Sequence, residues 1–75
     1  NMLNVYRTLK NYVKGVICLD LDDEVVTCVV NGKYLVIENY NEMLYMVTVM
    51  EDETGEELFV KYVDLNGLYR LAKSC

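Results

Sequence analysis

Histidine, proline and tryptophan are absent from this 75-residue chain, and phenylalanine occurs once. Without histidine the chain lacks the commonest general base near neutral pH and the commonest metal ligand. Serine occurs only at Ser74, and no glycine-rich phosphate loop is present. The usual nucleophile–base pairs and nucleotide cradles therefore have no residues to form from. Carboxylates remain available for acid–base work, but so short a chain offers little cleft to shelter them. An enzyme is the least favoured class, and no catalytic, cofactor or metal residue is assigned.

Cysteine is scarce and odd in number: Cys18, Cys28 and Cys75, with no CxxC spacing. That disfavours both a disulfide framework and a structural zinc. Cys18 and Cys28 alternate with apolar residues and read as buried thiols, and Cys75 as a more accessible one. No apolar run approaches the ~18 residues of a membrane span, and no signal-peptide core opens the chain. These absences lead to the expectation of a single domain, residues 2–75, in a reducing cytoplasm. Asn1, ahead of Met2, reads as a remnant preceding the initiator.

Hydrophobic residues make up 53% of the chain, a high share for a domain with so much surface. Seven tyrosines carry most of the aromatic weight, and 12 acidic residues against 7 basic ones give a net charge of −5. Phosphate-tracking surfaces are normally basic, so this balance disfavours nucleic acid as a partner. With no disulfide or metal in prospect, dense packing plus self-association is the economical way to stabilise so small a core.

The pattern is mostly β. Val25–Asn39 reads VVTCVV-NGK-YLVIEN, two apolar runs joined at Asn31-Gly32, the strongest short-range hairpin signal. With that pair at the turn, Cys28 faces Leu35 and Val26 faces Ile37 on one side, and Val29 faces Tyr34 and Thr27 faces Val36 on the other. The first side is wholly apolar. The second is apolar apart from one hydroxyl and a tyrosine rim, so both sides call for cover.

Residues 16–21 (VICLDL) read as a strand before the turn Asp22-Asp23-Glu24, with Cys18 facing either Cys28 or Thr27 according to loop length. Residues 44–51 and 58–63 read as a further hairpin around Thr54-Gly55, in which Thr48 faces Lys61, Val49 faces Val60 and Met50 faces Phe59. Residues 2–14 fit a helix ended by Gly15, with an extended strand as the rival. The tail 64–75 admits either a strand turned at Asn66-Gly67 or a short helix capped by Asp64. Gly67 in a helix costs about 1 kcal/mol relative to Ala, which tips the balance to a strand. The expected architecture is an antiparallel meander of five or six strands with an N-terminal helix. It is either a small partly open barrel of SH3-like or OB-like type or a curled sheet.

Two function classes follow. The first is a non-enzymatic protein-interaction module, self-associating as a homo-oligomer or acting as an acidic inhibitor or adaptor of a basic partner. Its contacts are a tyrosine- and methionine-rich surface (Tyr34, Tyr40, Tyr45, Met46, Met50, Phe59) and an acidic hairpin tip (Glu51, Asp52, Glu53, Glu56, Glu57). The second is a barrel that stacks single-stranded nucleic acid on Tyr34, Tyr40 and Tyr45, aided by Lys33 and the basic residues Arg7, Lys10 and Lys14. The acidic turn Asp20, Asp22, Asp23, Glu24 spaces its oxygens in the alternating manner of a cation loop. Val25 stands where such a loop needs glycine, however, and a solvated turn is favoured.

Overall fold

The computed structural model describes all 75 residues. Its element order is α1 (Met2–Tyr12), β1 (Ile17–Leu21), β2 (Val25–Val30), β3 (Lys33–Asn39), β4 (Tyr45–Glu51), β5 (Glu57–Val63) and α2 (Leu65–Ser74). The five strands form one antiparallel meander in the order β1-β2-β3-β4-β5, and the sheet does not close. Of the two architectures expected, it is the open sheet with a helical layer. The fold is mainly β and small, with one helix more than the sequence pattern predicts.

Helix α1 forms because Met2, Val5 and Leu9 recur at helical spacing and bury one stripe. Asn1 caps it, its side chain accepting the Asn4 N–H at 3.0 Å. The helix gives way to extended backbone at Val13, whose N–H still donates to the Leu9 carbonyl. The chain then turns into β1 at Gly15, where φ is +77°.

The β2–β3 hairpin has the register the sequence predicts, with Val26 opposite Ile37, Cys28 opposite Leu35 and Val29 opposite Tyr34. Asn31 and Gly32 both have positive φ, 50° and 79°, as a type I′ turn requires. In β1 the first of the two cysteine alternatives holds and the second, Cys18 opposite Thr27, does not. Cys18 faces Cys28, yet Asp20 faces Thr27, because Leu19 is an extra residue on the edge strand.

Two expectations are overturned. In the β4–β5 hairpin the register is shifted by one: Val49 faces Phe59, Thr48 faces Val60 and Val47 faces Lys61. The turn is longer than a two-residue one. Glu51 N–H donates to the Glu56 carbonyl, Gly55 N–H donates to the Glu51 carbonyl, and a bulge follows where Met50 meets Glu57. A one-residue slip reverses every side chain of β5. Phe59 and Lys61 thereby move to the helical side, and Val60 and Tyr62 to the other.

The tail is a helix, not a strand. Asp64 caps it by accepting the Gly67 N–H at 2.8 Å, and Leu68 and Ala72 bury its inner stripe. Gly67, counted against a helix on propensity, sits where a side chain would be tight. A Cβ there would lie 3.0 Å from Val63 Cβ and 3.1 Å from the capping Asp64 Oδ1.

Both helices lie on one side of the sheet, making two layers. The core between them takes Met2, Val5 and Leu9 from α1, alternate residues of β2, β3 and β4, and Leu68 and Ala72 from α2. Leu9, Val26, Cys28, Leu35, Ile37, Val47 and Leu68 are fully excluded from solvent. Nothing covers the opposite side of the sheet.

Candidate interaction surface

Residues paired across the ladder share a face, so the register assigns the uncovered side residue by residue. Ile17 pairs with Val29 and Val29 with Tyr34, Tyr34 with Met50, Val36 with Thr48, Thr48 with Val60, and Met46 with Tyr62. These residues form a continuous apolar patch across all the strands. Its middle is half-buried by its own neighbours, and its margins, Ile17 at 60% and Tyr62 at 52%, are open to solvent. Charge enters only at the edges of the patch, through Asp20, Glu38 and Glu57. An exposed apolar patch of this continuity is the usual mark of an interaction site.

Three of the tyrosine and methionine candidates, Tyr34, Met46 and Met50, lie on this open face. Tyr40, in the loop after β3, stands at its rim, with its ring 4.7 Å from that of Tyr62 in an edge-on arrangement. Tyr45 does not belong to the surface. It faces the helical side and packs against the core, so Tyr34, Tyr40 and Tyr45 do not share one platform. Phe59 is displaced by the shifted register to the helical side of edge strand β5, where it stays 39% exposed with the Lys61 ammonium 5.6 Å from its ring. The residues the candidate set missed are Val29, Val36, Ile17, Thr48, Val60 and Tyr62. The signal for the first two was the apolar second side of the β2–β3 hairpin; the last two were hidden by the bulge.

The acidic tip is present as expected. Asp52, Glu53, Glu56 and Glu57 are exposed around the β4–β5 turn, and Glu51 makes the structure's one ion pair, to Lys33 at 3.0 Å. Both partners are partly exposed, so this pair contributes little stability. The other acidic cluster is explained by local structure. Asp22 Oδ1 accepts the N–H groups of Glu24 and Val25, each at 2.8 Å, and Asp20 Oδ1 accepts that of Leu21. These carboxylates hold the turn, and no group of three candidate ligands converges on a metal position.

Neither Cys28 nor Cys75 is an activated thiol. All three cysteines are free, and Cys28, buried in the core, has its pKa pushed up to about 12, first by burial and then by the neighbouring cysteines. Burial also raises Cys75, with Lys33 opposing. The neutral thiol of Cys28 is thus favoured in the folded state. Its contribution to stability is complete below about pH 9, the unfolded value, and is lost as pH rises toward about 12. Native protein treated with iodoacetamide at pH 8 should therefore lose Cys18 first and retain Cys28 until it unfolds, as peptide mass mapping will show. Labelling of Cys28 at the rate of a free thiol would contradict the packing.

The concavities are shallow. One lies between the C-terminal ends of the helices and the Asn31-Gly32 turn, bordered by Tyr12, Lys14, Ala72, Lys73 and Cys75. Here Asn31 Nδ2 donates to the Cys75 carbonyl at 2.7 Å, tying the end of α2 to the hairpin. It gathers no acid–base pair. No helix of the structure is long and apolar enough to cross a membrane. Searches against protein-family models, curated proteins and solved structures return no match for this chain.

Proposed function

We propose that this chain is a non-enzymatic, self-associating protein-interaction module of the cytoplasm, and that two copies meet through the open sheet face. The carrying observation is that a sheet covered by helices on one side presents Val29, Tyr34, Val36, Met46, Thr48 and Val60 on the other with nothing over them. A second copy is a fitting occupant because the patch is almost free of charge, so two net-negative chains can approach there without direct repulsion. The free thiols fit a reducing compartment. The acidic tip projects from the sheet end and offers a second contact, to a basic protein surface, by electrostatic steering.

Scale sets the strength of this contact. Five strands about 4.8 Å apart and six residues at about 3.3 Å rise give a face of about 20 Å by 20 Å, roughly 400 Å² in plan. Standard interfaces bury about 800 Å² per partner, so one such face supports reversible association. Sedimentation equilibrium should show a mass that rises with concentration. Val36→Glu, at the centre of the patch and outside the core, should shift the protein toward smaller species at every concentration while leaving its circular dichroism unchanged. A wild-type mass equal to one chain across the micromolar to millimolar range would refute the proposal.

A further inference from the structure

The two edges of the sheet are not alike. Edge strand β1 is interrupted at its middle by the Leu19 bulge and carries Asp20 beside it. Edge strand β5 has its bulge at one end, where Glu57 meets Met50, and is regular from Phe59 to Val63. Leu58, Phe59, Val60 and Tyr62 are each about 40–50% exposed, at 40%, 39%, 41% and 52%. A regular, uncovered edge, apolar but for Lys61, is a template for another strand.

The hydrogen-bond phase of β5 follows from its neighbours. Asp52 N–H donates to the Gly32 carbonyl and Glu51 N–H to the Glu56 carbonyl, so even-numbered residues of β4 bond toward β3 and odd-numbered ones toward β5. Their partners Phe59, Lys61 and Val63 direct their backbone groups at β4, and the residues between them, Val60 and Tyr62, direct theirs at the free edge.

We infer that β5 pairs antiparallel with β5 of a second copy, with Val60 on the two-fold axis, joining two sheets into one of ten strands. Three registers have the right phase. The one centred on Lys61 sets two ammonium groups face to face. The one centred on Phe59 draws the bulged Glu57 into the ladder. The one centred on Val60 leaves Glu57 outside the ladder and is self-complementary, using the regular residues Phe59 to Tyr62 together with Leu58, which the bulge leaves without a partner on β4. It sets Phe59 opposite Lys61 of the second copy in a non-hydrogen-bonded pair, where side chains approach most closely. Each ammonium then meets an aromatic ring in both directions, the contact Lys61 already makes within its own chain. On the open side it sets Leu58 beside Tyr62 and Val60 beside Val60.

This inference rests on the self-association proposed above and supplies what that reading lacks in area. Pairing the edges doubles the continuous open face to roughly 800 Å² in plan, the size of a standard interface per partner. Two ten-stranded platforms stacked by their open faces make a four-copy assembly with the dihedral symmetry common among homo-oligomers.

Cross-linking tests it. In a background with Cys18 and Cys75 changed to serine, Phe59→Cys protein mixed with Lys61→Cys protein should form a disulfide-linked pair under mild oxidation. Neither variant should do so alone. Both positions lie on the helical side, so stacked open faces cannot bring them together. By sedimentation, Lys61→Glu should halve the wild-type mass, Val36→Glu should halve it by breaking the other contact, and the double variant should be one chain. Failure of the mixed cross-link with an unchanged mass for Lys61→Glu overturns the edge pairing and leaves face stacking standing if Val36→Glu still halves the mass. The reverse pattern overturns face stacking alone. Cross-linking of Phe59→Cys by itself overturns the register.

Discussion

Leu35→Ala should lower the unfolding free energy by about 2–5 kcal/mol, the range for truncating a fully buried leucine in a core that cannot collapse around the gap. Leu35 has no solvent exposure and sits on the middle strand between Cys28 and Val49, with the helical layer above it. A domain of 75 residues has about 4–11 kcal/mol of stability in total. The substitution therefore removes between a fifth and all of it, and the melting temperature should fall by about 8–40 °C. Thermal denaturation followed by circular dichroism at one fixed protein concentration measures this, since association raises the apparent stability of the wild type by mass action. A fall of only a degree or two would mean that the core does not lie between β3 and the helices. The neighbouring residue makes the contrast: Val36 points to the open face, and its replacement should change the mass of the protein far more than its melting point.

Gly32→Val should cost about 1–3 kcal/mol through backbone strain alone. Gly32 has φ of +79°, a region closed to β-branched side chains, and the type I′ turn leaves it no alternative. Its carbonyl also accepts the Asp52 N–H at 3.1 Å, so a distorted turn at this point disturbs the β3–β4 pair as well as β2–β3. Asn31→Gly, by contrast, keeps the positive φ available and loses only the side-chain bond to the Cys75 carbonyl. The two variants in the same denaturation series separate turn strain from tethering of α2. Equal melting points for Gly32→Val and wild type would show that the turn is not of type I′.

How far the sequence revealed this arrangement varied from element to element, for physical reasons. The β2–β3 hairpin was readable to the residue because Asn-Gly admits essentially one tight turn, and the turn then fixes the register. The first helix was readable as a helix from the near-helical spacing of Leu3, Tyr6, Leu9 and Val13, but its buried stripe is Met2, Val5 and Leu9, with Leu3 left exposed. The β4–β5 hairpin was misread because Thr54-Gly55 also fits a longer turn followed by a bulge, and bulges leave no composition of their own. That single slip carried Phe59 to the wrong face and concealed Val60 and Tyr62. The tail was misread because Gly67 counts against a helix in isolation. Only the folded chain shows Val63 and Asp64 crowding the space where a Cβ would go. Of the surface, the apolar second side of β2–β3 pointed to the open face from the start, and Tyr45 entered the candidate set because it lies by the loop that follows the hairpin, where strand alternation turns it to the core instead.

The strictly sequential strand order has a kinetic corollary. Each ladder is closed by a connection of a few residues, so each strand pairs with the strand that follows it and none waits for a partner from the far end of the chain. Chains with low contact order fold quickly, and one without proline has no slow isomerisation phase to delay it. The hairpin at Asn31-Gly32 is the natural place for zipping to begin, with the end helices, which must find each other across the whole length of the chain, docking last. Stopped-flow refolding should accordingly be a single fast phase for the isolated chain, followed only by whatever slower, concentration-dependent step assembles the copies.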